Sequence, residues 1–497
     1  MNIKRAKQQI ISTIKTYSAK DKYGRYLIPK EKQRPLLLIG APGIGKSDIV
    51  SQVAAELNIG FLPFSMIHYT RQSARDENFI KHKLIKNLDV NLSVHSENEI
   101  ISTIHDMVQD SGLERGILFF DEINHESEVL DPVMRQFLQY KVYGCPALPE
   151  GWIVIAAGNE PEYNNSARKF DVATLDKFKC INIEPNFDVW KDYAYRVGMN
   201  AAVVIYLAVK PQNFFRIENT SGDVRFVTAR GWEDLSKMMN VYETLGAKID
   251  KTLVSQYIHH NDVADDFTSY YQFYKKYRNT YNVNEILAGK ASNDFKTRMA
   301  DVDLEERYIF IGVLLDVVCK STREFLRGAR VFNAVTALVK SVGNNTHQLG
   351  EIFKAEVEKD SGNVEKAKIA NNLLEENEIF YTMKHTALKK YLKESVQTGH
   401  SSIKDAYDSD SLLFNRSVEN IKTMYTNLFG FCEEVYGHSG NEMAALVTEL
   451  AINGFTSSYI ANFGCDEYHK YDKKDIFKQK YDAFLEEISQ IHKAEDD

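Results

Sequence analysis

Cysteine is scarce in this sequence of 497 residues, and its five cysteines lie far apart. They form no C-x-x-C pair, so their spacing argues against both a zinc site and a disulfide framework. Cys465 and His469 lie one helical turn apart, but a structural zinc site needs two further ligands. We therefore expect neither bound zinc nor covalent cross-links to organise the fold.

Long apolar runs are also missing. The longest, from Tyr308 to Cys319, is interrupted by Asp316 and is shorter than the about 20 residues that cross a bilayer. The opening residues, MNIKRAKQQI, lack the apolar core of a signal peptide. These absences predict a soluble, cytoplasmic protein without a transmembrane segment.

The sequence has no excess of positive charge. Its 61 lysines and arginines face 69 aspartates and glutamates, which gives a formal net charge of -8. This balance does not indicate a positively charged surface that would bind nucleic acid, although it does not exclude local basic patches. The hydrophobic content of 44% is that of a globular protein, and the length predicts roughly three domains.

What the sequence does contain is a phosphate-binding pattern in PLLLIGAPGIGKSDIV, residues 35–50. An apolar run at 36–39 predicts a buried strand, G-x-x-x-x-G-K-S follows, and an amphipathic helix extends to about residue 57. In such a loop, backbone N–H groups surround the phosphates, the lysine reaches the β- and γ-phosphates, and the serine hydroxyl is a ligand of Mg²⁺. The predicted nucleotide-binding residues are Gly40, Ala41, Pro42, Gly43, Ile44, Gly45, Lys46, Ser47 and Asp48. The chain is expected to bind a nucleoside triphosphate.

Two adjacent carboxylates follow a second apolar strand, ILFFDE at residues 117–122. Asp121 is predicted to hold a hydrated Mg²⁺ opposite Ser47, while Glu122 orients and polarises the attacking water. The alternative is a solvated strand end. The position downstream of a phosphate loop favours the functional interpretation.

A further buried strand, WIVIAAGN, ends at Asn159. If this strand lies between the other two, the Asn159 amide sits near the γ-phosphate and the attacking water. An ordinary turn asparagine is the alternative, because GNEP also suits a turn.

Strands and helices alternate through the first part of the chain, which predicts an α/β fold with a parallel sheet covered on both faces. Further strands are predicted at 58–67, 116–120, 153–157 and 180–183, helices at 97–110 and 131–140, a hairpin at 140–152, and irregular chain at 68–96. From about residue 185 the β-signal nearly disappears. Helices with breaks at 343–345, 360–362 and 397–411 are predicted there, the earlier ones at 187–197, 201–209, 230–245 and 261–287.

The aromatic and basic run YYQFYKKYRNTY, residues 270–281, invites a nucleic-acid interpretation through base stacking. Tyr270, Tyr274, Tyr277 and Tyr281 nevertheless follow helical spacing and form one stripe. We therefore favour a buried stripe with the lysines facing outward.

The phosphate loop, ILFFDE, the strand ending in AGN and the later TARGW together resemble the AAA+ ATPases. The stretch from DEINHESEVL to LPEGWIVIAAGNEPEY looks most like the MoxR-type branch, in the clade with an insert in helix 2, and HYTRQSA falls where that insert begins. The resemblance covers residues 1 to about 245. It implies a P-loop NTPase (AAA+) α/β core at 1–184 and a helical lid at 185–290. We expect an all-α, partner-binding region at 291–497.

The resemblance also implies residue roles. Asn159 matches the sensor-1 position. Arg230 matches sensor 2, which contacts the γ-phosphate from the same subunit, at the start of a lid helix with Trp232, Leu235 and Tyr242 on its buried face.

One position departs from the pattern. MoxR-like proteins often carry LDRF, whose arginine acts on the neighbouring subunit's nucleotide, whereas this chain has Lys177 in LDKF. Lysine lacks the forked contacts of a guanidinium. Either Lys177 serves as a weaker finger, or Arg168 in SARKFD substitutes, or activation by the neighbour is impaired.

The resemblance implies an Mg²⁺-dependent, ATP-hydrolysing protein of the chaperone type, which remodels a protein partner. It also implies that the protein acts as a ring, with a hexamer as the expected size. The nucleotide would lie at the interfaces between subunits. A von Willebrand factor A-domain protein is the partner implied by the resemblance. The sequence has no clear motif that recognises the base, so ATP is favoured over GTP only as a general expectation. A slow nucleotide-dependent switch or scaffold is the alternative, and a nucleic-acid-dependent motor is less favoured.

Overall fold

The computed structural model describes residues 1–65, 80–85, 88–93, 99–123, 148–160, 162, 170, 172–220, 223–280, 283–342, 346–369, 375–398, 401–438 and 440–471. The predicted helix at 131–140, the hairpin up to residue 147, the insert entry at 68–74 and Arg168 lie outside these residues. The chain divides into two compact units. The first comprises Met1–Val189, Ile217–Val224 and Thr228–Gly231, and the second comprises Trp190–Arg216, Arg225–Val227 and Trp232–Asp497. The predicted domain limits at 184 and 290 stay predictions.

The first unit is built on a parallel sheet. Its strands in chain order are β1 (Leu36–Gly40), β2 (Gly60–Ser65), β3 (Ile80–Ile85), β4 (Leu88–Ser93), β5 (Gly116–Asp121), β6 (Trp152–Gly158) and β7 (Lys179–Ile183). Five of them form one parallel sheet in the order β2-β5-β6-β1-β7. Strand β6 lies between β1 and β5, which is the condition under which Asn159 is expected near the phosphate loop.

Helices pack on this sheet because its strands are apolar on both faces. Leu36 and Leu38 belong to one core cluster, whereas Leu37 belongs to another. The helices of this part are α1 (Ile3–Tyr17), α2 (Lys46–Leu57), α3 (Glu99–Ser111) and α4 (Val172–Leu175). Helices α1 and α2 contribute to the first cluster and α3 to the second, so the predicted α/β core is present.

The prediction of irregular chain at 68–96 is wrong where the structure describes it. Strands β3 and β4 pair antiparallel, with Ile80 opposite Ser93. Their sequences, IKHKLI and LDVNLS, alternate apolar and polar residues in part, which is the strand period. Polar residues dominate the composition of residues 68–96, and they hide this alternation in the sequence.

The second unit is mainly helical. From residue 187 onward, the helices are α5 (Phe187–Val197), α6 (Ala201–Val209), α7 (Ala229–Leu245), α8 (Lys251–Val254), α9 (Asn261–Thr280), α10 (Val283–Leu287), α11 (Asn293–Asp301), α12 (Leu304–Val342), α13 (Thr346–Ile369), α14 (Glu375–Thr398), α15 (Ser401–Tyr436), α16 (Asn441–Ile452), α17 (Gly454–Phe463) and α18 (Asp466–His469). Two short strands, β8 (Arg216–Thr220) and β9 (Asp223–Val227), form a two-stranded sheet that the sequence did not predict. Among the described residues, no helix combines the length and apolar character needed to cross a membrane.

The predicted helix break at 360–362 is wrong, and the predicted break at 397–411 is wrong from Ser401 onward. Helix α13 continues through Asp360, Ser361 and Gly362, and α15 already begins at Ser401. Asp360 is fully buried, and Lys384 of α14 lies 3.2 Å from its carboxylate. Tertiary contacts of this kind override the turn preference of the local sequence.

The tyrosine stripe packs as predicted where its side chains are described. Tyr270, Tyr271 and Tyr274 are buried in α9, and Tyr270 stacks on Tyr274 with ring centroids 6.4 Å apart. Their faces are therefore not available for base stacking. Within the predicted helix at 261–287, the described residues form α9 and α10.

Candidate nucleotide site

The loop between β1 and α2 has the backbone of a phosphate cradle. Gly43 and Gly45 adopt φ angles of 72° and 87°, in the left-handed region that glycine enters without strain. Gly45 directly precedes α2, whose first residue is Lys46, so the first N–H groups of the helix, which have no acceptor within the helix itself, lie at the loop. Ile44 anchors the loop by packing against the core beside β1 and α2.

The Lys46 ammonium occupies the centre of the site and is buried. It donates to the carbonyl oxygens of Gly40 and Ala41 at 2.9 and 2.7 Å, and to the side-chain oxygen of Asn159 at 2.9 Å. The pKa of Lys46 is lowered from 10.5 to about 8; burial is the main cause, Asp121 opposes it, and the nearby Arg230 charge adds to it. A desolvated cation held by neutral oxygens is suited to receive an anion.

Ser47 and Asp121 meet directly. The Ser47 hydroxyl donates to one Asp121 carboxylate oxygen at 2.6 Å, and the backbone N–H of Glu122 donates to the other at 3.0 Å. This brings a hydroxyl and a carboxylate, both hard oxygen ligands, to one point. The donor set fits Mg²⁺, which takes one or two protein oxygens and completes its shell with water and phosphate.

Glu122 is held in an unusual backbone conformation, with φ of 53°. The next residue, Ile123, is buried and donates its N–H to the Ala157 carbonyl of β6 at 2.9 Å. The chain therefore turns sharply at Glu122 between two fixed neighbours. Strain of this kind in a residue other than glycine persists only where surrounding structure imposes it, and it is concentrated at functional sites.

A second segment lies against the loop. The backbone N–H of Arg230 donates to the Gly43 carbonyl at 3.1 Å, and a Cβ built on Gly43 would come within 3.0 Å of the Thr228 side chain. The Thr228 hydroxyl also accepts from the Gly231 N–H at 3.2 Å, at the start of α7. The Arg230 side chain itself is exposed. Sequence reasoning identified Arg230 but missed Thr228, although a threonine before a helix start is a capping signal.

The structure thus brings together Lys46, Ser47, Asp121 and Asn159, with Glu122 next in the chain and Arg230 beside the loop. Of the three buried-face residues predicted for the lid helix, Trp232 and Leu235 are buried, whereas Tyr242 is half-buried.

Lys177 is not among these contacts. It follows the short helix α4 and donates its backbone N–H to Thr174 at 3.1 Å, and its side chain makes no hydrogen bond or ion pair with any residue the structure describes.

Comparison with known proteins agrees with this geometry. Residues 36–172 match the family described as ATPase family associated with various cellular activities (AAA). A search of the curated proteins found no match.

Similar solved structures include Thermotoga maritima RuvB, titled a Holliday junction branch migration motor, at 14% identity, 60% coverage of this chain, 74% of that chain and a TM-score of 0.26. A lysine-to-arginine mutant of that RuvB gives 13% identity, 60% and 75% coverage and a TM-score of 0.27. Scores this low carry no argument of their own.

The family match, the parallel sheet and the glycine-rich loop leading into α2 agree with one another. The chain therefore contains an AAA ATPase domain of the P-loop NTPase fold over residues 36–172.

Proposed function

We propose that this protein is an Mg²⁺-dependent ATPase that acts as a ring oligomer and remodels a protein partner. The observation that carries the catalytic part is the hydrogen-bonded cluster at the carboxyl ends of β1, β5 and β6. There the Lys46 ammonium reaches Asn159, and the Ser47 hydroxyl reaches Asp121. Three strands distant in sequence place these groups within bonding distance of one another.

Each side chain has a role that its position supports. Ser47 and Asp121 would hold Mg²⁺, which supplies charge neutralisation to the phosphates when bound. Lys46 exchanges its loop carbonyls for phosphate oxygens. Glu122, fixed by the turn between β5 and Ile123, orients the attacking water and polarises its O–H bond. Asn159 positions the same water from β6, as its sensor-1 resemblance implies.

The ring and the partner rest on the resemblance to MoxR-type proteins. Arg230 serves as sensor 2 because its backbone is bonded to the phosphate loop at Gly43. Lys177 or Arg168 acts on the nucleotide of a neighbouring subunit. Residues 185–290 act as the lid, and 291–497 bind the partner, for which a von Willebrand factor A-domain protein is the candidate.

The decisive experiment separates binding from turnover. Glu122→Gln is expected to bind ATP with Mg²⁺ but to lose turnover, whereas Lys46→Ala is expected to lose binding. Light scattering of the Glu122→Gln protein should show a ring-sized mass with ATP and a smaller mass without it. Normal hydrolysis by either variant contradicts the catalytic assignment, and an unchanged monomer mass contradicts the ring.

A slow nucleotide-dependent switch is the second candidate, and Lys177 at the finger position is the observation that favours it. In that case the wild-type protein turns over slowly, with a specific rate independent of protein concentration. Cooperative hydrolysis that rises with concentration excludes it. Addition of DNA or RNA to the same assay tests the third possibility, a nucleic-acid motor, which requires stimulation.

A further inference from the structure

The helical second unit contains a cavity of about 50 Å³ that the nucleotide chemistry does not involve. Residues of α5 and α6, of α12, and of α16 and α17 line it, together with residues adjoining those helices. A single water needs about 10–15 Å³ measured in this way, so the cavity holds several waters or a ligand of a few heavy atoms. Apolar side chains form much of its wall, among them Ile205, Ala208, Ile311 and Leu315.

Two acidic residues on the wall are already paired. Glu449 is buried and accepts from Lys191, from the Tyr195 hydroxyl at 2.6 Å and from the Tyr308 hydroxyl at 3.5 Å. Asp316 is buried as well, and Lys320 donates to it at 2.9 Å. Each carboxylate therefore has a cationic partner within this unit.

A further charged group on the wall, Arg323, differs from these pairs. Its guanidinium donates no hydrogen bond to any residue that the structure describes, and its Nε is buried without a partner. Burial lowers the pKa of Arg323, and the charge of Arg327 lowers it too, whereas Glu376, Asp316 and Glu324 oppose the shift. A buried polar group left without a partner is costly, and an apolar side chain of similar size would avoid that cost.

The position of this guanidinium is fixed by its surroundings. It lies over the Phe455 ring, with its central carbon 5.9 Å from the ring centroid. On another side it occupies the space beside Gly198, where a Cβ would come within 1.8 Å of one of its nitrogens. The guanidinium is therefore held in place at the wall of the cavity.

We infer that this cavity is a binding site for a short monocarboxylate, held by Arg323. A guanidinium presents parallel N–H groups that match the two oxygens of a carboxylate. One guanidinium matches one carboxylate, and the nearby Asp316 and Glu449 disfavour a dianion such as phosphate. The apolar wall accommodates a short alkyl group, and the volume limits the ligand to a few heavy atoms.

Propionate is the probe, and propionamide is its neutral counterpart of nearly the same shape. Titration calorimetry on the full chain, at constant ionic strength, is expected to show saturable binding of one propionate and no binding of propionamide. Arg323→Met should weaken propionate binding at least about tenfold, which corresponds to loss of a charged hydrogen-bonded pair. The control Arg416→Met removes an exposed arginine of α15 and should leave binding unchanged.

Stability separates this role from a purely structural one. If Arg323 serves a ligand, Arg323→Met melts at the same or a higher temperature without propionate. A lower melting temperature for Arg323→Met, or equal binding of propionate and propionamide, overturns the inference. Should Arg323→Met not fold, Ala208→Leu decides, because it fills the apolar part of the cavity and leaves Arg323 in place. Unchanged propionate binding by Ala208→Leu overturns the inference too.

Discussion

The Lys46 ammonium donates to the side-chain oxygen of Asn159 at 2.9 Å, across the pairing of β1 with β6. This bond joins the residue that begins α2 to the residue that follows β6. A change at either position is therefore felt at the phosphate cradle, and the charge of Lys46 is the property that nucleotide binding depends on most directly.

Nucleotide affinity should fall as the pH rises through about 8. The pKa of Lys46 is lowered to about 8, so the free protein carries the charged lysine below that pH and the neutral one above it. If phosphates bind only the charged form, the apparent dissociation constant rises about tenfold between pH 7 and 9. Fluorescence titration with a labelled ATP analogue measures it. In Lys46→Arg the charge persists, and the affinity should not vary over this range.

Glu122→Gly should separate stability from activity. The left-handed backbone at Glu122 strains any residue with a Cβ, and glycine relieves that strain by about 1 kcal/mol. The variant is therefore expected to be as stable as the wild type or slightly more so, yet to hydrolyse nucleotide at a negligible rate. Thermal denaturation and phosphate release measure the two properties. A marked loss of stability would show that the carboxylate supports the fold.

Gly43→Ala should weaken nucleotide binding much more than a matched change elsewhere. Its φ of 72° disfavours alanine, and the new Cβ would press on Thr228 at 3.0 Å. Gly24 provides the control, because its φ of 81° imposes similar strain with no atom within 4 Å. Both variants should lose about 1–2 kcal/mol of stability. Only Gly43→Ala is expected to lose nucleotide affinity, by at least tenfold. Equal nucleotide affinities of the two variants would contradict the role assigned to the contact between Gly43 and Thr228.

Lys384→Met should destabilise the helical unit. The buried carboxylate of Asp360 lies 3.2 Å from the Lys384 ammonium, which also donates to Glu356 at 2.6 Å. Removing the lysine leaves Asp360 charged and uncompensated, which costs about 3–5 kcal/mol. Lys359→Met is the control, because that exposed lysine pairs with the same Glu356 at 3.1 Å and contributes at most about 1 kcal/mol. Urea denaturation compares them, and similar midpoints would contradict the prediction.

Much of the catalytic part of the fold could be predicted from sequence because its signals are local. The apolar runs at β5 and β6 lead directly to Asp121 and Asn159, and the run at β1 leads into the glycine-rich loop before Lys46. Lys46, Asp121 and Asn159 converge because parallel strands place their carboxyl ends at one edge of the sheet. The strand order was not predicted, and the role of Asn159 depended on the condition that its strand lie between the other two.

The remainder depends on contacts distant in sequence. No local signal in the sequence indicates that Lys384 will contact Asp360. This contact accompanies the continuation of α13 through a segment whose sequence favours a turn. Thr228 approaches Gly43 although the two residues are far apart along the chain. The Nε of Arg323 has no hydrogen-bond partner because of the way α12 packs, which the sequence does not indicate. The strands β3, β4, β8 and β9 are short, and their weak alternation was outweighed by polar composition.

The order of the sheet also determines when the site can form during folding. Strand β6 inserts between β1 and β5, both of which precede it in the chain, and Asn159 follows directly after it. Pairings of such sequence separation close large loops and form slowly. A nascent or refolding chain is therefore expected to form the contact between Lys46 and Asn159 only once β6 is seated, so nucleotide capture should report on the insertion of β6.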